Sequence, residues 1–185
     1  MKATGSVRRI DDLGRVEIPK EIRRTMRIRE GDPLEIFTDR EGEVIFKKYS
    51  PIGEMTGFAA QYAETLYKTC GMAVLISDRD AVIASAGVPR KEYADKGLSD
   101  ELEEIMEGRG MYLYREGSER IFATLDGKNH YVSCAMPIVS EGDVVGCVAS
   151  LCEMGNERAR DAVGSDIESK LILTAAGFLG RQLES

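Results

Sequence analysis

The first thirty residues hold a set of basic side chains whose spacing suits contact with a polyanion. The set comprises Arg8, Arg9, Arg15, Lys20, Arg23, Arg24 and Arg27. The last four fall at i, i+3, i+4 and i+7, so that on a helix they share one face. A solvated basic face is the simpler interpretation of such a stripe by itself. The three arginines that precede it shift the balance towards nucleic acid, because a polyanion relieves the repulsion among all seven.

The charge distribution agrees with this interpretation although the whole chain of 185 residues carries a net charge of −7. Residues 1–50 contain 12 basic and 10 acidic side chains, whereas residues 51–185 contain 13 and 22. A charge difference of this size between two parts of a chain indicates two modules with different partners. Salt screens charges beyond about 8–10 Å, so a local basic face can bind phosphate on an acidic protein.

Catalytic and metal-binding patterns are absent from the sequence. His130 and Cys134 are four residues apart on a predicted strand, which separates them by roughly 13 Å, too far for proton transfer. Cys147 and Cys152 point to opposite faces of the next strand and cannot chelate one metal ion. No phosphate-binding loop or dinucleotide motif is found. The sequence therefore predicts neither an enzyme nor a bound cofactor or metal.

The cellular compartment is predicted from the cysteines and the N-terminus. The four cysteines lie inside apolar runs without paired spacing, which is typical of reduced thiols in a cytosolic protein. The chain opens on a polar segment without a signal-peptide core, and its apolar stretches are too short to span a bilayer. We expect a cytoplasmic protein without a membrane partner.

Four short strands and one helix must position the basic residues. The alternation of apolar residues predicts strands over 7–10, 16–18, 34–37 and 44–46, and a helix that begins after Pro19 and reaches Arg27. Fifty residues with so few large apolar side chains cannot easily bury a sufficient core alone. We therefore expect residues 1–50 to form an obligate dimer, which also doubles the basic surface.

The segments 2–5, 8–16, 18–25 and 34–37 resemble the AbrB-type transition-state regulators, and the segment 46–52 strengthens the match. The resemblance implies a swapped-hairpin β-barrel in which two chains interleave strands and present arginines to double-stranded DNA. It assigns DNA contact to Arg8, Arg15, Arg23 and Arg24, whereas Arg9, Lys20 and Arg27 are added by the spacing argument. The chain departs from the family pattern at Ser6 and Glu17, where members mostly carry apolar residues.

The remaining residues predict an α+β domain that resembles a GAF domain, a fold that senses small molecules. Steps of three and four predict a helix over 55–70, and further patterns predict helices over 98–106 and 158–183. The predicted strands cover 72–76, 81–84, 111–114, 121–125, 131–139 and 144–151. Such an order favours an antiparallel sheet flanked by helices. The resemblance leaves the existence and identity of a ligand open.

The last predicted helix carries an apolar stripe wider than one sheet face requires. Its residues are Val163, Ile167, Leu171, Ile172, Ala175, Ala176, Phe178, Leu179 and Leu183. A helix buried in its own domain is the simpler interpretation. We favour a shared role in which the second edge packs on the same helix of another copy, with Gly177 and Gly180 permitting close approach. The chain would then form a tetramer.

These observations predict a DNA-binding domain over residues 1–50, a linker over 51–54 and a GAF-like regulatory or oligomerisation domain over 55–185. We expect a sequence-specific bacterial transcription regulator. The family resemblance implies that it acts on sporulation genes, activating some and repressing others. The alternative is an antitoxin-like module that binds a toxin protein, because a similar barrel serves that role.

Overall fold

A computed structural model describes residues 5–156 and 163–184, and its contacts divide the chain into two units, 1–49 and 50–185. The boundary falls ahead of the segment predicted as a linker. That segment forms a short helix, α2 (Pro51–Glu54), in which Ile52 is fully buried. The Ser50 hydroxyl accepts a hydrogen bond from the Gly53 N–H at 3.1 Å, and a proline at the helix start fits its first turn. These four residues therefore belong to the second unit.

The first unit contains one helix and one hairpin. The helix α1 spans Lys20–Thr25, and strands β1 (Leu34–Thr38) and β2 (Val44–Lys48) pair antiparallel. The turn between the strands is closed by Asp39, whose Oδ1 accepts hydrogen bonds from the N–H groups of Glu41 and Glu43, each at 2.9 Å. The hairpin and the start of the helix are where the sequence predicts them.

Three expectations for this unit are wrong for the single chain. Segments 7–10 and 16–18 form no strand, because a strand needs a hydrogen-bonded neighbour and the described part of one chain offers none there. The helix ends at Thr25, two residues short of Arg27.

The second unit is built around one antiparallel sheet. Its remaining elements are α3 (Thr56–Cys70), β3 (Ala73–Ser77), β4 (Val82–Ala86), α4 (Arg90–Tyr93), α5 (Asp100–Gly108), β5 (Tyr112–Leu113), β6 (His130–Ser140), β7 (Asp143–Glu153) and α6 (Ser165–Gln182). The strand order is β4-β3-β7-β6-β5, and every neighbouring pair is antiparallel. The predicted α+β class, an antiparallel sheet flanked by helices, is confirmed.

Local signals set several of these boundaries. Helix α3 ends at Gly71, which adopts φ 69° and donates its N–H to the Tyr67 carbonyl at 2.8 Å. Helix α5 begins at Ser99, whose hydroxyl accepts the Leu102 N–H at 3.1 Å. The predicted strand over 121–125 is wrong, since only Thr124 makes an isolated bridge, to Leu98. The predicted helix start at 158 lies outside the described residues.

The two faces of the sheet carry separate apolar cores. Helices α3 and α6 cover one face, where Ile138 and Leu179 are fully buried, and α5 covers the other, where Leu102 is fully buried. Gly180 of α6 lies so close to the Val139 carbonyl that any Cβ there would overlap it. This glycine therefore permits packing within the unit, whereas Gly177 faces open space in one chain. No described helix combines the length and apolar character that crossing a membrane requires.

Candidate nucleic-acid interface

A closed loop over residues 11–15 presents Arg15. The Asp11 carboxylate accepts three hydrogen bonds, from the Leu13 N–H (3.0 Å), the Arg15 N–H (2.7 Å) and the Arg15 Nε (2.8 Å). Gly14 completes the turn with φ 76°, a conformation that favours glycine. The pKa of Asp11 is lowered, first by the backbone N–H of Arg15 and then by its side chain. The Arg15 guanidinium is thus held on an exposed loop with 72% of its side chain accessible.

Asp11 is the residue that sequence reasoning missed. Its spacing of four from Arg15 and the Asp-x-x-Gly pattern were available as signals of a side-chain-capped turn. The carboxylate limits the directions that the guanidinium can take, so it acts as a positioning residue for Arg15. Asp11 does not itself attract phosphate, because its carboxylate is negatively charged.

Arg8 and Arg9 precede this loop, and both are exposed. Their segment forms no strand, so within one chain no sheet orients their side chains. Both arginines are therefore accessible for contact, but the structure does not place them beside the basic residues of the helix.

Helix α1 brings three of the predicted residues onto one short face. Lys20 and Arg24 are exposed, whereas Arg23 is half-buried and donates its Nε to the Ile18 carbonyl at 3.1 Å. Arg23 thus contributes both charge and a tie between the helix and the chain before it. Arg24 is the better residue for testing charge alone.

Arg27 lies beyond the helix, so the expectation that it extends the stripe at i+7 is wrong. It adopts φ 51° just after the helix and donates its N–H to the Arg24 carbonyl at 3.2 Å, while the Ile28 N–H reaches the Arg23 carbonyl at 2.8 Å. This pair of bonds is a Schellman motif, which normally places glycine at the left-handed position. The Arg27 side chain is exposed, but its backbone is not helical, so the helical spacing does not place it on the face of Lys20 and Arg24.

Apolar side chains of the first unit are exposed to an unusual degree. The set and its exposed fractions are Val7 88%, Ile10 69%, Leu13 70%, Val16 45%, Met26 48%, Ile36 62%, Phe37 37%, Val44 58% and Phe46 37%. Among the described residues of this unit, only Pro19 is buried. One copy of residues 5–49 therefore has no apolar core of its own.

The second unit holds the residues considered for catalysis. His130 begins β6 and is 9% exposed, with its ring 6.0 Å from that of Tyr93. Burial raises the pKa of both Cys134 and Cys147 to about 12, which makes poor nucleophiles of these thiols. Among residues 5–156 and 163–184, no group of three or more His, Cys, Asp or Glu is arranged to hold a metal ion.

Comparison with known proteins decides the family. A family model described as "Stage V sporulation protein T C-terminal, transcription factor" matches residues 54–184. Stage V sporulation protein T of Bacillus subtilis (strain 168) is 51% identical over 186 residues, which cover 100% of this chain and 99% of that protein. The chain belongs to the stage V sporulation protein T family. As a member of this family, the protein is a sporulation transcription factor.

Two further similarities concern the separate units. The transition state regulatory protein AbrB of Bacillus subtilis (strain 168) is 59% identical over 51 residues, 28% of this chain and 52% of that protein. The predicted resemblance to AbrB-type regulators is thereby confirmed. A model described as "Antidote-toxin recognition MazE, bacterial antitoxin" also matches residues 7–53.

The fold of the family's larger domain is shared more widely. A crystal structure of a methyl-accepting chemotaxis protein, residues 122 to 287, superposes with a TM-score of 0.52 at 17% identity. The match covers 71% of this chain and 90% of that one. At this level of identity the likeness concerns the fold alone.

Proposed function

We propose that the chain is a homo-oligomeric, cytoplasmic regulator that binds double-stranded DNA and both activates and represses sporulation genes. Membership of the stage V sporulation protein T family and the 59% identity to AbrB support this. The DNA-binding residues would be Arg8, Arg9, Arg15, Lys20, Arg23, Arg24 and Arg27. The second unit would act as a sensing or assembly domain rather than as an enzyme.

The exposed apolar surface of the first unit carries the proposal. Val7, Ile10 and Ile36 are each more than 60% exposed in one chain, and a single two-stranded sheet is at best marginally stable in water. A second copy of the same unit offers matching apolar residues, and segments 7–10 and 16–18 are free of strand pairing within one chain. An intertwined dimer would cover these side chains and complete the barrel.

Dimerisation would also bring enough positive charge together on one surface to bind duplex DNA. Arginine makes bidentate contacts with phosphates and with guanine edges, which lysine cannot reproduce. Two copies of the exposed cations would give the six to ten phosphate contacts typical of duplex binders. The affinity should then fall about 10³–10⁵-fold between 50 and 200 mM salt.

Arg24→Ala tests the DNA assignment without disturbing the fold. Because Arg24 is exposed, we expect at least about tenfold weaker specific binding in a gel-shift assay, with unchanged mass in sedimentation. Arg40→Ala, an exposed arginine of the β1–β2 turn outside the predicted set, is the matched control. Undiminished binding by the Arg24 variant would contradict the assignment.

An aromatic cluster on the second unit supports further assembly. The Phe178 ring of α6 lies 5.9 Å from that of Phe58 and 5.7 Å from that of Tyr62 on α3, and the two phenylalanines are 40% and 36% exposed. Packing of this cluster on its copy in another dimer would give a tetramer. Phe178→Glu should then halve the mass in sedimentation, whereas Leu125→Glu, at another exposed site, should not. An unchanged mass for Phe178→Glu would remove this role.

An antitoxin is the second candidate, because the MazE model matches residues 7–53. The transcription-factor match over residues 54–184 favours the regulator. Purification of the chain from its native cell discriminates between them. A small protein bound in fixed stoichiometry would support the antitoxin, and its absence together with DNA binding would support the regulator.

A further inference from the structure

The second unit contains a cavity of about 220 Å³ between its sheet and the ends of two helices. Its wall includes Tyr67 at the end of α3, Met72, Ser150 and Glu153 of β7, and Glu168 of α6. The volume lies below the roughly 300–1,000 Å³ of drug-sized pockets, so it suits a compact ligand. The wall combines apolar and aromatic side chains with polar ones such as His130 and Asn156, which suits an organic molecule with a polar or charged end.

One wall of the cavity is a buried carboxylate. Glu168 is 5% exposed, and its two oxygens accept hydrogen bonds from the hydroxyls of Ser133 (3.1 Å) and Ser150 (2.6 Å). Hydroxyls satisfy the lone pairs but bring no positive charge. Removing a charged carboxylate from water is costly, and a cation beside it reduces that cost.

The strand beside Glu168 is irregular at the residue that contacts it. Val132 pairs with Leu151 and Cys134 with Ser150, so Ser133 is the extra residue of a β-bulge. Bulges often re-aim a side chain next to a functional site. Here the bulge directs the Ser133 hydroxyl to the carboxylate. The Ser150 Oγ accepts a hydrogen bond from the Cys134 N–H at 3.1 Å.

Acidic side chains outnumber basic ones among the described residues of the cavity wall. Burial is the main reason that the pKa of Cys134 is raised, and the charge of Glu168 raises it further. Glu153 adds a second carboxylate to the lining, and His130 is the one basic side chain among the described residues of the wall. Tyr67 adds an aromatic side chain, a type that attracts cations.

We propose that this cavity binds a small organic ammonium ion with Glu168 as its counter-ion. The proposal rests on the sensing role suggested for the second unit and gives that role a ligand class. Glu168 stands on the same helix as Phe178, so occupation of the cavity bears directly on the helix proposed for assembly.

Titration calorimetry on the full chain without DNA tests the proposal. The probes are linear alkylammonium ions of two to six carbons, with alcohols of equal length as neutral controls. At least one ammonium ion should bind saturably and at least tenfold more tightly than its alcohol. Equal affinity for both, or no binding across the series, would overturn the proposal.

Glu168→Gln keeps the shape of the side chain and removes its charge. It should weaken ammonium binding at least tenfold, whereas Glu104→Gln, on the exposed face of α5, should leave it unchanged. Ser133→Ala provides a second variant if the first fails to fold, with a smaller loss expected. Unchanged affinity in the Glu168 variant would overturn the assignment.

Two further measurements complete the test. Arg158→Gln and Arg160→Gln should leave ammonium affinity unchanged, and a tighter complex in either would mean that the chain's own guanidinium is the counter-ion, which overturns the proposal. DNA binding and ammonium binding measured together on the unmodified chain separate the two conclusions. No ammonium binding with intact DNA binding would refute only the ligand, and no DNA binding with intact ammonium binding would refute only the regulator.

Discussion

The two units of the chain differ in what they do with their apolar side chains. In the second unit Leu75, Ile138 and Leu179 are fully buried on both sides of one sheet. In the first unit Val7 and Ile10 are largely exposed, although both are as apolar as core residues elsewhere. The second unit therefore holds its core within one chain, whereas the described residues of the first form no core within one chain.

The comparison also connects stability with function. In the first unit the exposed cations lie on the same fifty residues as the exposed apolar side chains. Association would bury the second group and leave the first on the surface. The DNA-binding surface and the folded state of this unit would thus form in one step, whereas the second unit would be folded in either state.

Ile10→Asp should show the largest effect. On a surface, such a change alters stability by about 0.5 kcal/mol or less, but a charge placed in a shared core costs of order 3–5 kcal/mol. We expect faster hydrogen exchange throughout residues 5–49 of the full chain and loss of DNA binding. Leu125→Asp, which alters a side chain of similar exposure (63%) in the second unit, is the control. Equal exchange in both variants would show that the first unit is a stable monomer.

The glycines of α6 test the second unit. Gly180→Ala forces a Cβ against the Val139 carbonyl and should lower the free energy of unfolding by about 1–3 kcal/mol. Gly177→Ala meets nothing within one chain and should raise it by up to about 1 kcal/mol through helix propensity. Denaturant midpoints measure both. Loss of oligomer mass with Gly177→Ala would place that face in an interface between copies.

Asp11→Asn should weaken DNA binding about tenfold, although it removes a negative charge near the DNA. The amide retains an oxygen for the backbone N–H groups of the loop but gives Arg15 Nε no acceptor. Asp12→Asn removes the same charge one residue away and should strengthen binding slightly. In an Arg15→Ala background the Asp11 variant should have no further effect in gel shifts.

The pH dependence of this pair has a definite sign. The folded pKa of Asp11 lies below its ordinary value, so the interaction is present at every pH above the unfolded pKa and is lost as the pH falls through the folded one. Between pH 5 and 8 it should contribute no change in affinity. A drop in DNA affinity across that range that disappears in Asp11→Asn would contradict this.

Arg27→Gly should have the smallest effect, with opposite signs for stability and binding. Glycine adopts the left-handed conformation of this position without strain, which should raise the free energy of unfolding by about 1 kcal/mol. The loss of a cation should reduce the salt dependence of DNA binding by about one phosphate contact per chain. Asp95→Gly, also in the left-handed region at φ 57°, gives the conformational gain without a cationic loss. Reduced stability in Arg27→Gly would show that its side chain holds the helix end.

Local signals made much of the fold predictable. Gly71 ends α3 and Ser99 begins α5 because each makes its hydrogen bonds within a few residues of itself. Segments 7–10 and 16–18 of the first unit were harder, since an alternating pattern shows that a segment can pair but not whether one chain offers it a partner strand. Arg27 was misplaced because a helical spacing says nothing about where the helix stops.

The candidate sites show the same division. The seven basic residues were visible from type and spacing, but the role of Asp11 depends on three hydrogen bonds that close only in the folded loop. Glu168 stands among polar and charged residues such as Asp166 and Lys170, so its type alone did not distinguish it. It lies four residues before Ile172 on the buried face of α6, and an acidic residue at such a position was the available signal.

With self-association as proposed, the exposed apolar surface of the first unit would tie the regulator to its own abundance. When copies are scarce, each first unit would stay solvated and open to proteases, and few DNA-competent molecules would exist. As copies accumulate, mass action would fill the paired state steeply. Dilution at cell division would reverse this without any dedicated signal.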